Sequence, residues 1–141
     1  MPIKQDPFNS YNFLVEIDNI TSAAFQECSG LESEIEKIEY AEGAHNSVRK
    51  FPGQVKFSPI TLKRGTTDDR ELYDWHQGII DGTMDLRNIS VIGLKRNDDE
   101  CLRYNLFNAW ISKWTATNFN AQASEIAIET IEICYERIER A

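Results

Sequence analysis

The stretch Ile60–Gly82, ITLKRGTTDDRELYDWHQGIIDG, joins a short alternating segment to the clearest helical pattern in the chain. Within it, four apolar side chains recur with the 3.6-residue period that places them on one stripe of a helix. These side chains are Leu72, Trp75, Ile79 and Ile80. Such a stripe is typical of a helix that lies against a larger apolar surface, so the remaining segments are expected to supply that surface.

The ends of this helix carry recognisable signals. Asp68 is suited to cap the first turn, with Glu71 in the reciprocal position three residues later, and Thr66 or Thr67 are alternative caps. Gly82 tolerates the left-handed conformation that ends many helices. The sequence therefore predicts one helix over residues 68–81.

Most of the remaining chain alternates apolar and polar residues with period two, which predicts half-buried strands. About seven or eight strands are enough for a small β-barrel or a two-sheet sandwich. In the segment that starts at Cys101 the phase shifts after Ala109, which predicts that Trp110 and Trp114 share a face. The predicted strands fall within residues 11–19, 23–29, 31–40, 55–64, 84–95, 101–119 and 125–138. The predicted fold is mainly β with one flanking helix.

A length of 141 residues predicts a single domain over residues 1–141. Residues 1–10 are polar and contain two prolines, which indicates a short N-terminal arm. Residues 41–53 contain two glycines, a proline and no periodicity, so they are expected to form a long exposed loop. Loops of this length are uncommon in compact domains unless they have a function.

Charge and composition narrow the class of protein. The net charge of −8 argues against sequence-independent binding to nucleic acid, which depends on basic patches that neutralise phosphates, and we expect no specific nucleic-acid binding either. The apolar runs are too short for a bilayer span and the N-terminus does not resemble a signal peptide. We therefore expect synthesis in the cytoplasm and no stable membrane insertion. Three cysteines at long spacings indicate reduced thiols rather than disulfides or a metal site.

The sequence contains no motif of a catalytic or cofactor site. Neither common glycine-rich phosphate loop occurs, and the G-x-S-x-G nucleophile motif is also missing. The two histidines, His45 and His76, have no partner at metal-binding spacing. Asp68 and Asp69 stand at a helix start, where capping explains them better than catalysis. We therefore expect no catalytic residue, no cofactor and no metal, and a protein that is not an enzyme.

Glu32, Glu34 and Glu36 alternate along a predicted strand, so their side chains are expected to point the same way. One interpretation is a strand face that is simply solvated. The other is an acidic wall that lines a cavity or a channel. The residues alone leave both interpretations open.

Several short motifs, in order and over nearly the whole chain, resemble the tail tube proteins of contractile phages and the inner tube proteins of phage-tail-like contractile injection systems. Each motif alone is weak, and the ordered set is specific. The motifs are DPF and YNFLVEID (residues 6–18), F-x-x-C-S-G-L-E (25–32), EY-x-EG (39–43), FPG (51–53), ITLKRG (60–65), LYDW (72–75), AW-x-x-KW (109–114) and E-I-A-I-E-x-I-E (125–132).

The resemblance implies a fold shared with the hemolysin-coregulated protein of type VI secretion. It also implies hexameric rings that stack into a hollow tube inside a contractile sheath, which drives the tube through a target envelope. The implied partners are other copies of the chain, the sheath, the baseplate hub and spike, the tube terminator, and cargo protein or DNA that passes through the lumen.

Within this family, two sets of residues are candidate functional sites. The predicted loop is expected to reach the next ring, through His45, Asn46, Ser47, Val48, Arg49 and Lys50. The acidic set of Glu32, Glu34 and Glu36 is expected to line the lumen, where like charge would keep cargo from adhering.

Two other functions remain open at this point. One is a ligand-binding β-barrel that acts as a monomer, and the other is a tube initiator next to the baseplate. The short sequence without insertions favours an injection system over a phage tail.

Overall fold

The computed structural model describes residues 7–9, 12–18, 20, 24–41, 43, 48–122 and 124–141. Within these ranges the chain forms nine strands and one helix. The strands are β1 (Phe13–Ile17), β2 (Glu27–Ser29), β3 (Ser33–Ala41), β4 (Val48–Phe57), β5 (Ile60–Gly65), β6 (Arg87–Leu94), β7 (Glu100–Thr115), β8 (Ile128–Cys134) and β9 (Arg137–Arg140). The helix, α1 (Glu71–Ile80), lies between β5 and β6.

Seven strands form two layers that share the long strand β7. The order is β1-β6-β7-β8-β5-β2, and β9 pairs with β7 beside β8. The first half of β7 belongs to the layer with β1, β6 and β9, and the second half belongs to the layer with β8, β5 and β2. We call these two layers and α1 the sandwich body.

Apolar side chains from both layers meet in one core. Alternating residues of β5 and β8 face inward, so every second side chain in these strands is buried. The most deeply buried are Ile60, Leu62, Leu72, Ile89, Leu106, Ile111, Ile131 and Ile133. The prediction of a mainly β, two-sheet sandwich with one helix is confirmed. The strands number nine rather than seven or eight, and within the described ranges the edges of β1 and β2 do not meet to close a barrel.

β7 bends at Asn108, which has a left-handed backbone conformation with φ of 53°. Asparagine tolerates this conformation better than most residues do. The Asn108 side-chain amide donates to the Glu136 carboxylate, and the Asn108 N–H donates to the side-chain oxygen of Asn88 at 3.3 Å. The bend carries β7 from one layer into the other. Glu136, its hydrogen-bond partner, lies between the end of β8 and the start of β9, the two strands that pair with β7 on this side.

A second irregularity in β7 separates the two tryptophans. Ser112 is an extra residue relative to β8, so the side-chain alternation shifts by one position. Trp114 packs against the core and contacts Tyr73 edge-on at 5.1 Å between ring centroids, whereas Trp110 is exposed. The prediction that Trp110 and Trp114 share a face is therefore wrong.

The helix begins later than predicted. α1 starts at Glu71, and its N-cap is Arg70, which makes no side-chain capping hydrogen bond. The expected cap at Asp68 is wrong: the neighbouring Asp69 carboxylate instead accepts a 3.0 Å hydrogen bond from the Glu71 N–H. Gly82 has φ of 98° and donates its N–H to the Ile79 carbonyl, as expected for a residue that ends a helix.

Side chains of α1 fix the helix on the sandwich body. Leu72 and Trp75 are buried and Ile79 packs against the core, as predicted, whereas Ile80 was predicted to belong to the same stripe and is instead exposed. His76 Nδ1 lies 2.9 Å from the Ile111 carbonyl oxygen and donates to it. The helix is thus joined to β7 by apolar packing and by one polar contact.

A buried ion pair joins β5, β8 and the segment before α1. Arg64 and Glu129 are 5% and 6% exposed, and the Arg64 guanidinium donates to the Glu129 carboxylate. Arg64 also donates to the Asp69 carbonyl at 3.3 Å. Since a buried charge is costly unless it is paired, this contact constrains where β8 and the helix entry lie.

β3 and β4 form a separate two-stranded hairpin, called here the β3–β4 hairpin. Residues 48–53 belong to β4, so the prediction of a loop over residues 41–53 is wrong for that part. Pro52 and Gly53 suggested a loop, but a proline is tolerated in a strand that lies at a sheet edge. Of the rest, residue 41 ends β3, residue 43 lies in a turn, and residues 42 and 44–47 lie outside the described residues.

Of the predicted N-terminal arm, residues 7–9 are exposed coil and the others lie outside the described residues. In the described part of the chain, no helix has the length and apolar character needed to span a bilayer.

Candidate assembly surface

The β3–β4 hairpin exposes apolar side chains on both faces. Ile38 lies opposite Phe51 on one face, and Ile35 lies opposite Val55 on the other. These four side chains are between 48% and 54% exposed, unlike the isoleucines of the sandwich body. A two-stranded hairpin is marginally stable in water, and exposed apolar surface of this kind typically marks an interaction site.

A β-bulge sets which side chains share a face. The register changes between Ile35 and Lys37, where β4 has one more residue than β3. β3 itself alternates regularly, so Glu34, Glu36 and Ile38 point to the same side. The bulge lies next to Gly53, where an added Cβ would come within 3.1 Å of the Glu36 carbonyl oxygen.

The charged residues of the hairpin are arranged by strand. The acidic side chains are concentrated on β3, and all the charged side chains of β4 are basic. Glu34 lies directly opposite Lys56, and Glu39 lies directly opposite Lys50. Oppositely charged residues in such positions stabilise an antiparallel pair, which helps to hold the hairpin together.

The structure places the predicted site residues in two parts of this hairpin. Glu34 and Glu36 are exposed on one face of β3, and Glu32 precedes the strand. Three of the residues expected to contact the next ring are exposed on β4, namely Val48, Arg49 and Lys50. His45, Asn46 and Ser47 lie outside the described residues.

The hairpin joins the sandwich body at a root formed by Gly30, Ser58 and Tyr135. The Ser58 N–H donates to the Glu32 carbonyl at 3.3 Å, and the Tyr135 hydroxyl donates to the Ser58 carbonyl. Gly30 has φ of 91°, and an added Cβ would lie 2.6 Å from the Pro59 carbonyl oxygen. Sequence reasoning predicted a strand that ends at residue 29, just before Gly30, and missed the contact between Ser58 and Tyr135, which are far apart in the chain.

Burial raises the pKa of two groups in this part of the molecule. The pKa of the Tyr135 hydroxyl is raised to about 12, chiefly by burial. The pKa of the Cys28 thiol is raised to about 11, also by burial. A thiol with a raised pKa is a poor nucleophile at neutral pH, so Cys28 is better described as a packing residue.

An open cavity of about 490 Å³ lies beside the connection between β7 and β8, and its lining includes Phe119, Ile126 and one carboxylate, Glu125. The described residues contain no group of three or more His, Cys, Asp or Glu side chains that could hold a metal ion. The hairpin is therefore the most distinctive surface.

Comparison of the sequence with known protein families shows which family the chain belongs to. The family described as T4-like virus tail tube protein gp19 matches residues 9–139, almost the whole chain. The chain belongs to this tail tube family. Comparison of the tail tube protein with curated proteins finds no significant match.

Solved structures agree with this assignment. The tail tube protein is 27% identical to a chain of the PVC sheath-tube complex of an extracellular contractile injection system in its extended state, with a TM-score of 0.87, covering 96% of this chain and 91% of that one. It is 26% identical to a chain of the anti-feeding prophage tube terminating cap, with a TM-score of 0.90, covering 100% of this chain and 95% of that one.

A more distant likeness shows the fold alone. Hcp1 from Salmonella typhimurium is 12% identical to the tail tube protein, with a TM-score of 0.61, covering 91% of this chain and 83% of that one. The predicted relation to the tube proteins of contractile systems, and to the fold of type VI secretion tube proteins, is confirmed.

Proposed function

We propose that this tail tube protein forms hexameric rings that stack into the hollow inner tube of a contractile injection particle. The observation that carries the proposal is the projecting β3–β4 hairpin, which leaves apolar side chains half exposed in a chain whose family builds tubes. Neighbouring copies would cover these side chains, and identical contacts repeated around a ring close it.

The proposed partners follow from the related assemblies. The relatives with 26–27% identity come from a sheath-tube complex, a sheath and tube terminator, and a tube terminating cap. We therefore infer that this chain contacts other copies of itself, a contractile sheath, a terminator and a baseplate with its hub and spike. These relatives also favour an injection particle over a phage tail, with synthesis and assembly in the cytoplasm. A position next to the baseplate, as a tube initiator, is a variant of the same function.

The protein would act without catalysis, by serving as a rigid conduit. Contraction of the sheath would drive the tube through a target envelope and carry protein or DNA cargo with it. The alternative of a monomeric ligand-binding barrel has less support, because apolar side chains fill the space between the two layers. A ligand-binding barrel instead keeps an open interior.

The direct test is negative-stain electron microscopy of the purified protein with sedimentation over a range of concentrations. We expect rings with a central hole, and stacked tubes at higher concentration. A particle that stays monomeric at every concentration would contradict unaided assembly and would favour the ligand-binding alternative.

Glu32, Glu34 and Glu36 are proposed to line the lumen, with their negative charge keeping cargo from adhering. We expect the Glu32→Gln/Glu34→Gln/Glu36→Gln variant still to form tubes, because glutamine removes negative charge without introducing repulsion, Glu39 is retained, and exposed charges contribute little to stability. Its tubes should retain more of a fluorescent single-stranded DNA oligonucleotide in co-sedimentation than wild-type tubes do. Unchanged retention, or a failure to assemble, would contradict the lumen proposal.

His45, Asn46, Ser47, Val48, Arg49 and Lys50 are proposed to contact the next ring. This proposal is supported by the exposed position of Val48, Arg49 and Lys50 at the start of β4. Deletion of residues 45–47, which keeps the charged residues of β4, should leave single rings and prevent stacking. Long tubes formed by the deletion variant would refute it.

A further inference from the structure

The two strands of the β3–β4 hairpin have opposite charge. β3 contains three glutamates and one lysine, so its side chains are mainly acidic. β4 contains three basic residues and no acidic residue. The residues are Glu34, Glu36, Lys37 and Glu39 on β3, and Arg49, Lys50 and Lys56 on β4. The hairpin therefore has one acidic long edge and one basic long edge.

Both long edges are available in the single chain. Within the described ranges, β3 and β4 pair only with each other, so the outer side of each strand has no neighbouring strand. Every described residue of β3 is exposed, as are most residues of β4. Natural proteins seldom leave long edges of this kind unprotected unless another chain covers them.

We propose that the acidic strand β3 of one copy lies beside the basic strand β4 of the next copy, so that the hairpins themselves form a continuous belt within each ring. The proposal rests on the proposed tube function and identifies the contact through which neighbouring copies join. The contact is heterologous, because each copy offers its acidic edge to one neighbour and its basic edge to the other.

Charge complementarity is what specifies a second copy of this chain as the occupant. Within one hairpin, Glu34 already faces Lys56 and Glu39 already faces Lys50. Placing β3 against a neighbouring β4 repeats the same alternation across the gap between copies, so each charged strand has opposite charge on both sides. The opposite arrangement, with β3 beside β3 or β4 beside β4, would bring like charges together and is disfavoured.

The apolar side chains supply the second part of the contact. On one face, Ile38 and Phe51 are flanked by charged residues of the same strands. Side-by-side hairpins bring Ile38 of one copy next to Phe51 of its neighbour and so reduce the apolar surface that both expose to water. The charges then set which edge meets which, and the apolar side chains contribute most of the burial.

The test uses two charge-reversed chains. The first, Arg49→Glu/Lys50→Glu/Lys56→Glu, has two acidic strands. The second, Glu34→Lys/Glu36→Lys/Glu39→Lys, has two basic strands. Each variant alone should need a protein concentration about 100-fold or more above that of the wild type to form rings, because like charges then meet at every contact.

An equimolar mixture of the two variants should restore ring formation. In the mixture, each acidic strand can again lie beside a basic strand, and strict alternation closes in a ring with an even number of copies. Sedimentation velocity and negative-stain microscopy detect the rings, and native mass spectrometry should show equal numbers of the two chains. If the mixture fails to assemble, or if each variant assembles alone as well as the wild type does, the proposal is wrong.

A third variant distinguishes charge pairing between copies from charge pairing within one hairpin. Reversing all six charges restores opposite charges within each hairpin and also between copies, so this chain should assemble alone. If it assembles while the mixture does not, pairing within the hairpin explains the effect and the proposal is overturned. The control matched to the first variant is Arg70→Glu/Lys95→Glu/Arg96→Glu. It changes the net charge by the same amount as that variant, at exposed sites outside the hairpin, and should assemble normally.

Failure of this proposal is distinguishable from failure of the tube function. If the wild type forms no rings, the proposed unaided assembly into rings fails. If the wild type forms rings and the charge-reversed chains do so equally well, the function stands and the contact lies elsewhere.

Discussion

Ile131 in β8 is only 1% exposed, whereas Ile38 in β3 is 50% exposed, although both stand in regular antiparallel strands. The sandwich body covers its strands with a second layer and a helix. The β3–β4 hairpin leaves both faces in water. The difference shows that the body buries its apolar side chains within one chain, whereas the hairpin leaves its own exposed for the proposed contact with other copies.

The charged residues show the same contrast. In the sandwich body, Arg64 and Glu129 are buried and bonded to each other, and they fix the position of β8 against β5. In the hairpin, the charged side chains are exposed and sorted by strand. Charge in the body constrains the fold of one chain, whereas charge in the hairpin is suited to select a neighbour.

The largest effect should come from breaking the buried ion pair. Arg64→Met leaves Glu129 with an unpaired buried charge, and we expect the free energy of unfolding to fall by about 3–5 kcal/mol. Urea denaturation of the monomer measures this change. The adjacent Lys63→Met is the control: it breaks the exposed contact between Lys63 and Glu27, and should cost about 1 kcal/mol or less. Equal effects of the two substitutions would contradict the distinction between buried and exposed charge.

The same substitution in the two regions should have opposite consequences. Ile131→Ala opens a cavity in the core and should lower the free energy of unfolding by about 2–5 kcal/mol. Ile38→Ala should lower it by well under about 1 kcal/mol but raise the concentration needed for rings, because its apolar contacts form only between copies. Denaturation and sedimentation measure the two quantities. A large stability loss from Ile38→Ala would show that the body already covers the hairpin.

The root of the hairpin should be intermediate. Gly30→Ala forces a side chain into a left-handed conformation and against the Pro59 carbonyl, so we expect a loss of about 1–3 kcal/mol. Gly78→Ala in α1 is the matched control, because nothing lies within 4 Å of the added Cβ and alanine favours a helix by about 1 kcal/mol. Thermal unfolding should therefore shift in opposite directions for the two variants. A shift in the same direction would argue against strain at the root.

The smallest effect should appear only at alkaline pH. The folded-state pKa of Tyr135 is raised to about 12 from its ordinary value of 10. The contribution of the neutral Tyr135 hydroxyl to the free energy of unfolding is therefore fully present below pH 10 and is lost as the pH rises towards 12. Cys28, with a pKa raised to about 11, loses its contribution from pH 9 upward, so Cys28→Ala serves as the background. In that background, Tyr135→Phe should flatten the fall in the free energy of unfolding between pH 10 and 12. An unchanged slope would show that Tyr135 is not buried at the root in solution.

Sequence reasoning succeeded where the pattern is local. The apolar period of α1, the stop at Gly82 and the alternation of β5 and β8 could all be recognised within a few residues. It failed where one residue changes the phase. Pro52 and Gly53, which lie at the bulge of β4, made a strand resemble a loop, and the extra residue Ser112 in β7 moved Trp114 to the other face.

The candidate surface was predicted in part. Glu34 and Glu36 of β3 and the basic residues Arg49 and Lys50 of β4 were singled out from the sequence as candidates for the lumen and for the contact between rings. Their placement on the two strands of one hairpin was not predicted, because the register that puts Glu39 opposite Lys50 depends on the bulge. The root was missed as well, because Ser58 and Tyr135 are separated by 77 residues.

The sequence by itself determined the family, the mainly β composition and the single helix, because these depend on short motifs and on local periodicity. Only the tertiary structure decided that β7 serves both layers, that Arg64 meets Glu129, and that the hairpin stands apart with acidic and basic edges. Those features depend on contacts between distant residues. Register, bulges and burial arise when the strands pair, and local sequence preferences do not specify them.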